Sequence, residues 1–84
     1  MNTFNKDKFV QDYEIHLKSQ ILQFNKIENP TKRDEEIFYP DADKIYLDLV
    51  KQNNLKIHSD ELEDVYSKTQ EINNRLFKLI KPAK

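Results

Sequence analysis

The sequence predicts an all-α fold, a small antiparallel three-helix bundle whose middle helix is broken at Pro40 into two pieces. The 84 residues contain no glycine, where an average composition would give about six, so tight hairpins and glycine-rich loops are not expected. Apolar residues recur with the three- and four-residue spacing of one helical face. Capping residues and prolines divide the chain into segments of helical length.

The first predicted helix covers about residues 5–27. Asn5 is a suitable N-cap, and Asp7 places a negative charge in the first turn. Ile15 and Leu22, seven residues apart, lie well round the helix from the main apolar face and form a short second stripe. The main face, which we expect to be buried, contains Phe9, Val10, Tyr13, Leu17, Ile21, Phe24 and Ile27.

The middle segment is interrupted by Pro40, which lacks a backbone donor and clashes with the preceding turn of a helix. We therefore predict two helices, over residues 31–38 and 41–53. Asn29-Pro30 is interpreted as a cap followed by proline at the first helical position. Asn53-Asn54 predicts the left-handed C-cap that glycine usually provides. The predicted buried side of the second piece is Ala42, Ile45, Tyr46, Leu49 and Val50.

The last predicted helix covers residues 59–80. Ser59 is a suitable N-cap, acids follow it in the first turn, and Pro82 ends the segment. One apolar stripe runs along it: Leu62, Val65, Tyr66, Thr69, Ile72, Leu76, Phe77, Leu79 and Ile80. The two outer helices have similar lengths and short links, which favours a single bundle domain over residues 1–84.

Composition and motifs argue against an enzyme, a cofactor or a metal site. The chain has no cysteine and no glycine-rich phosphate loop, and no nucleophile motif surrounds its serines. Asp12 and His16 have the spacing of half a metal site, but we expect both to face solvent, with His58 in a loop. The sequence shows neither a membrane-spanning run nor a signal peptide, so we expect a cytoplasmic protein that does not bind membranes.

Acidic residues are concentrated in the middle of the chain. Residues 34–64 hold ten acids against three lysines, and five of these acids flank Ile37-Phe38-Tyr39-Pro40. At a helix break, neighbouring aromatic side chains cannot all point into the core, so we expect Phe38 or Tyr39 to be partly exposed. Exposed aromatics among carboxylates are typical of a surface that binds a basic protein. The predicted partner-binding residues are Glu35, Glu36, Phe38, Tyr39, Asp41 and Asp43.

Two alternatives concern this segment. Ile37 and Phe38 could close one end of the bundle, with the acids serving only solubility. The surface could also extend to Asp48, Asp60, Glu61, Glu63 and Asp64, provided that the last helix presents its start on the same side.

The segment Ile37-Phe38-Tyr39-Pro40, which follows acidic residues, resembles the Tyr-Tyr-Pro segment of colicin-type nuclease immunity proteins. These are small acidic helical inhibitors. The resemblance covers four residues and concerns the chemistry of the surface. It implies that paired aromatics and nearby acids dock on a nuclease toxin.

The function predicted from these features is non-catalytic binding of a basic protein partner, with inhibition by occlusion. An immunity protein, an antitoxin or a phage-encoded inhibitor would each fit. The first alternative is a homo-oligomeric assembly protein, for instance a homodimer, with Ile15 and Leu22 as its seam. The second alternative is a nucleic-acid-associated regulator that uses Arg75, Lys78, Lys81 and Lys84, although these charges are sparse for nucleic-acid binding.

Overall fold

A computed structural model describes residues 4–56 and 59–80 of the chain. These residues form four α-helices and one short 3-10 helix, with no strand among them, so the all-α prediction is confirmed. The elements are α1 (Lys6–Asn25), α2 (Lys32–Phe38), α3 (Ala42–Gln52), α4 (Glu61–Leu76) and the 3-10 helix (Phe77–Leu79).

The first helix, α1, begins as its sequence predicts and buries five of the seven residues of its predicted apolar face. The Asn5 side chain accepts a hydrogen bond from the Lys8 backbone N–H at 3.0 Å, which caps the first turn. Val10 and Ile27 are only partly buried, since they lie at the edge of the apolar face and beyond the last helical residue. The buried face of α1 is Phe9, Tyr13, Leu17, Ile21 and Phe24.

The chain leaves helical geometry at Pro40, which confirms a break rather than a kink. Tyr39 has extended backbone angles (φ −62°, ψ 134°), as expected for a residue before proline. The predicted cap at Asn29 is wrong, because Asn29 adopts a left-handed conformation (φ 54°) and α2 is capped by Thr31. Thr31 and Asp34 form a reciprocal capping box, in which each side chain accepts from the other's backbone N–H at 3.0–3.1 Å.

The end of α3 has the left-handed C-cap predicted for Asn53-Asn54. Asn54 has φ 55°, and its backbone N–H donates to the Lys51 carbonyl at 3.0 Å. The Leu55 N–H donates to the Val50 carbonyl, also at 3.0 Å. These two bonds form the Schellman motif, with asparagine at the position where glycine is usual.

The last helix, α4, is shorter than predicted at both ends. It begins at Glu61, and Ser59 accepts only a long hydrogen bond, 3.4 Å from the Glu61 N–H, so the predicted Ser59 cap is displaced by one position. The residue at the cap position is Asp60, whose side chain makes no capping bond. The α-helix ends at Leu76, and the chain tightens into the 3-10 helix before Ile80.

Contacts between the helices define an up-down-up arrangement. The Lys6 ammonium lies 3.4 Å from the Asp64 carboxylate, and the Asn25 side chain donates to the Leu79 carbonyl at 2.9 Å, so α1 and α4 run in the same direction. Conversely, α3 runs against α1, because Phe9 contacts Tyr46 whereas Gln20 contacts Asp41. The shared core contains α1 residues together with Ile45, Leu49, Val50, Leu62, Val65, Ile72 and Leu76.

Candidate partner-binding surface

The short helix α2 contributes no buried side chain to the core. Its start is stabilised by the Thr31 capping box, and the chain beyond its end is fixed by the buried Pro40. We define the acidic-aromatic surface as the predicted binding residues together with the intervening Ile37. Its members are Glu35, Glu36, Ile37, Phe38, Tyr39, Asp41 and Asp43. It occupies α2, the break and the first turn of α3.

Three consecutive apolar side chains on this surface face solvent. Ile37 is 59% exposed, Phe38 53% and Tyr39 49%. The prediction that Phe38 or Tyr39 would be partly exposed is confirmed, and it holds for both. The alternative in which Ile37 and Phe38 close one end of the bundle is wrong, since neither is buried. Large apolar groups that lie next to each other at the surface are typical of an interaction site.

Tyr39 connects the acidic-aromatic surface to the helices of the bundle. Its ring meets Phe24 of α1 edge to face, with centroids 5.3 Å apart, and stacks on Phe77 at 6.3 Å. Phe38 and Ile37 are more exposed than Tyr39. Tyr39 therefore packs against the core and also faces solvent, whereas Ile37 and Phe38 can be changed with less effect on the core.

The four carboxylates of the surface differ in their structural roles. Asp41 is the N-cap of α3: its side chain accepts from the Lys44 N–H at 3.1 Å, and its own N–H donates to the Gln20 side chain at 3.1 Å. Asp43 and Glu36 are exposed, and Glu35 is partly buried. Charge can therefore be altered at Glu36 and Asp43 without removing a cap.

Two grooves lie along this surface and share Glu36, Tyr39 and Asp41. The first, of about 420 Å³, is bounded in addition by Gln20, Gln23, Ile37, Phe38 and Lys44. The second, of about 430 Å³, is bounded in addition by Pro40, Ala42, Asp43 and Phe77. The sequence analysis placed Phe77 only in the apolar stripe of the last helix. Its place in the groove depends on where the end of α4 meets the break, which no local pattern specifies.

The acids at the start of α4 do not extend the surface. Asp64 lies beside Lys6 at the start of α1, whereas Tyr39 packs on Phe24 near the end of α1. The conditional extension to Asp60, Glu61, Glu63 and Asp64 is therefore wrong, because the parallel course of α1 and α4 puts these acids at the opposite end of the molecule. Asp48 lines a separate small cavity of about 110 Å³ with His16.

The second predicted stripe, Ile15 and Leu22, is at the surface as expected, with exposures of 63% and 53%. Their use as an oligomer seam remains a prediction. Arg75, one of the basic residues considered for nucleic-acid binding, pairs with Glu14 of α1. One of those positive charges therefore has a carboxylate partner. Lys81 and Lys84 lie outside the described residues, as does His58.

Asp12 accepts a hydrogen bond from Lys8 at 3.0 Å, which gives it an ion-pair partner on its own helix. Within residues 4–56 and 59–80, no group of three or more histidine or acidic side chains is placed to hold a metal ion. None of the helices in this part of the chain is long and apolar enough to cross a membrane.

Comparison with known proteins leaves the surface as the main guide to function. No family model matches the chain, and searches of curated proteins and of solved structures found no match.

Proposed function

We propose that this chain is a non-catalytic protein-binding module that engages a basic protein through the acidic-aromatic surface. The observation that carries the proposal is the row Ile37-Phe38-Tyr39, three half-exposed apolar side chains flanked by carboxylates. Leaving apolar area in water is unfavourable by roughly 25 cal/mol per Å². A partner that covers this row would recover that free energy.

The carboxylates indicate the charge of the partner. Glu36, Asp41 and Asp43 border the exposed rings, so a basic surface would find both apolar contact and opposite charge. Complementary charge at the border of an interface raises the association rate and disfavours acidic competitors. Proteins that process nucleic acids carry basic sites, and occlusion of such a site is the inhibition that we propose for this chain in the cytoplasm.

The proposal is tested by removing the two most exposed side chains of the apolar row while keeping the fold. The variant Glu36→Lys, Ile37→Ser, Phe38→Ser changes three residues that are exposed and cap no helix. We expect the wild-type chain to capture a basic protein from a lysate of the source cells, and this variant to capture none of it. Circular dichroism of both proteins should show equal helix content.

A matched control makes the same kinds of change elsewhere. The variant Ile15→Ser, Leu22→Ser, Glu63→Lys removes two aliphatics of similar exposure and reverses one exposed acid. This control should capture the same protein as the wild type. Equal capture by the Glu36, Ile37 and Phe38 variant would contradict the proposal, as would loss of capture by the control alone.

A second candidate function is homo-oligomeric assembly through α1. The exposure of Ile15 and Leu22 on the face of α1 that points away from the core favours it. It differs from the first proposal because it requires no partner other than a second copy, and a small core benefits from such association.

A further inference from the structure

The second groove differs from the first in the chemistry of its border. Three acidic residues border it, Glu36, Asp41 and Asp43, together with the aromatic residues Tyr39 and Phe77. The first groove also includes Lys44, whereas none of the basic residues that the structure describes borders the second. The second groove thus combines a strong negative charge with aromatic surface.

The rings of Tyr39 and Phe77 are stacked on each other, so one face of the Tyr39 ring is turned away from Phe77. Tyr39 and Phe77 lie nearly parallel, with 29° between their planes and 6.3 Å between their centroids. Tyr39 is half exposed, so part of its ring remains open to a ligand. A planar cation gains most from such a ring when it lies over the ring face.

The carboxylates suit an organic cation better than a bare ion. They border a space of about 430 Å³, and they do not converge into a group that could coordinate a metal within the described part of the chain. Asp41 uses one carboxylate oxygen to cap α3, through the Lys44 N–H. Its second oxygen can still accept a hydrogen bond from a ligand.

We propose that the second groove binds an arginine side chain, which under the proposed function belongs to the basic partner. The guanidinium group is flat and carries five donors in a fixed fork. It can therefore lie over the Tyr39 ring while it donates to the carboxylates of Asp41 and Asp43. A lysine ammonium is a compact charge without a flat face, so it can satisfy the carboxylates but cannot stack in this way.

The test uses two blocked peptides, Gly-Arg-Gly and Gly-Lys-Gly, titrated into the full-length chain and followed by NMR. We expect the arginine peptide to shift the ring signals of Tyr39 and Phe77 and the amide signal of Asp43. The lysine peptide should bind about fivefold more weakly. Equal affinity for the two peptides, or shifts confined to other parts of the chain, would overturn the assignment.

The carboxylates are tested by the variant Asp41→Asn, Asp43→Asn. Asparagine is as good an N-cap as aspartate, so α3 should keep its start while the groove loses two charges. We expect arginine binding to fall by about tenfold or more. The control variant Glu61→Gln, Glu63→Gln removes two first-turn acids at the other end of the molecule and should leave binding unchanged. Equal losses in both variants would show a general charge effect and no arginine site.

Failure of this inference can be distinguished from failure of the proposed function. Ile37 and Phe38 border only the first groove, and Asp43 borders only the second. If the variant Ile37→Ser, Phe38→Ser, which leaves Glu36 unchanged, loses partner capture, yet the Asp41→Asn, Asp43→Asn variant retains both capture and peptide binding, the proposed function stands and the arginine site is refuted.

Discussion

At the scale of single residues, Tyr13 is the largest fully buried side chain in the described core. Its hydroxyl donates to the Asn73 side chain, so a part-buried hydrogen bond joins α1 and α4 in addition to their exposed ion pairs. Thr69 is buried as well and donates to the Tyr66 carbonyl at 2.7 Å. No buried side-chain N or O atom in the described part lacks a hydrogen-bond partner. The Tyr13–Asn73 bond favours one register of α1 against α4, since a shifted pairing would leave these groups unpaired, whereas the Thr69 bond lies within α4.

Burial, together with the negative charge of Asp43, raises the pKa of Tyr13 above its ordinary value of about 10. The unfolded chain therefore loses this proton at a lower pH than the folded chain does. It follows that stability is fully present below about pH 10 and decreases as the pH rises toward the folded-state pKa. We expect Tyr13→Phe to lower the free energy of unfolding by about 1–2 kcal/mol at pH 7 and to flatten its alkaline decline. Urea unfolding at several pH values measures both.

The control for this prediction is the double variant Tyr13→Phe, Asn73→Ala. Because the two side chains are partners, the double variant should cost less than the sum of the single variants. Burial also raises the pKa of Tyr46, so some alkaline decline should persist. A decline as steep in Tyr13→Phe as in the wild type would contradict the prediction.

At the scale of helices, the ends show how a chain without glycine builds its connections. Two asparagines, Asn29 and Asn54, take the left-handed conformation that glycine usually supplies. Asn54 completes a Schellman motif at the end of α3, where the geometry demands this conformation. At these two positions the left-handed backbone conformation is less favourable for asparagine than it would be for glycine.

We expect Asn54→Gly to raise the free energy of unfolding and Asn54→Ala to lower it, each by about 1 kcal/mol. The reason is that glycine adopts φ near 55° without steric cost, whereas alanine has no side-chain polar group to favour it there. Thermal unfolding of the two variants measures the difference. A matched pair at Lys51, within helix α3, should show the opposite order, because alanine is the better helix former. Identical order at both positions would refute the argument.

The sequence predicted the presence of the helices and most of their buried residues better than their ends, although Tyr66 and Leu79 of the predicted last stripe are exposed. The α1 stripe and the break at Pro40 follow from local rules, namely helical periodicity and the missing donor of proline. The caps of α2 and α4 do not follow from local rules, because Asn29, Thr31, Ser59 and Asp60 are all acceptable caps. Thr31 forms the cap of α2 because Asp34 completes a reciprocal pair with it.

At the scale of the whole molecule, the fold separates charges that are close in the sequence. The chain is elongated, with principal extents of 48 × 21 × 18 Å. Asp64, in the first turn of α4, lies beside Lys6, and the acidic-aromatic surface lies near the opposite ends of α1 and α4. Sequence analysis could identify the residues of the surface from their chemistry. It could not place Phe77 beside them, since that contact depends on the relative directions of the helices.

The outer face of α1 yields a prediction about the mass of the protein in solution. If Ile15 and Leu22 form a seam between two copies, the mass measured by light scattering should rise with concentration. The variant Ile15→Lys, Leu22→Lys should then remain monomeric, because like charges would face each other across the seam. The control Ile37→Lys, Phe38→Lys should associate as the wild type does. A wild-type mass that stays at one copy over the whole concentration range would remove this candidate function.

The absence of buried side chains in α2 has a consequence for how this protein can evolve. Where a residue that recognises a partner also packs in the core, a change of specificity also risks unfolding. Ile37 and Phe38 are not part of the core, which is formed by residues of α1, α3 and α4. Their substitution therefore carries less risk of unfolding. Related chains could therefore diverge in the partners they recognise by point substitutions in α2 while their scaffold stays the same.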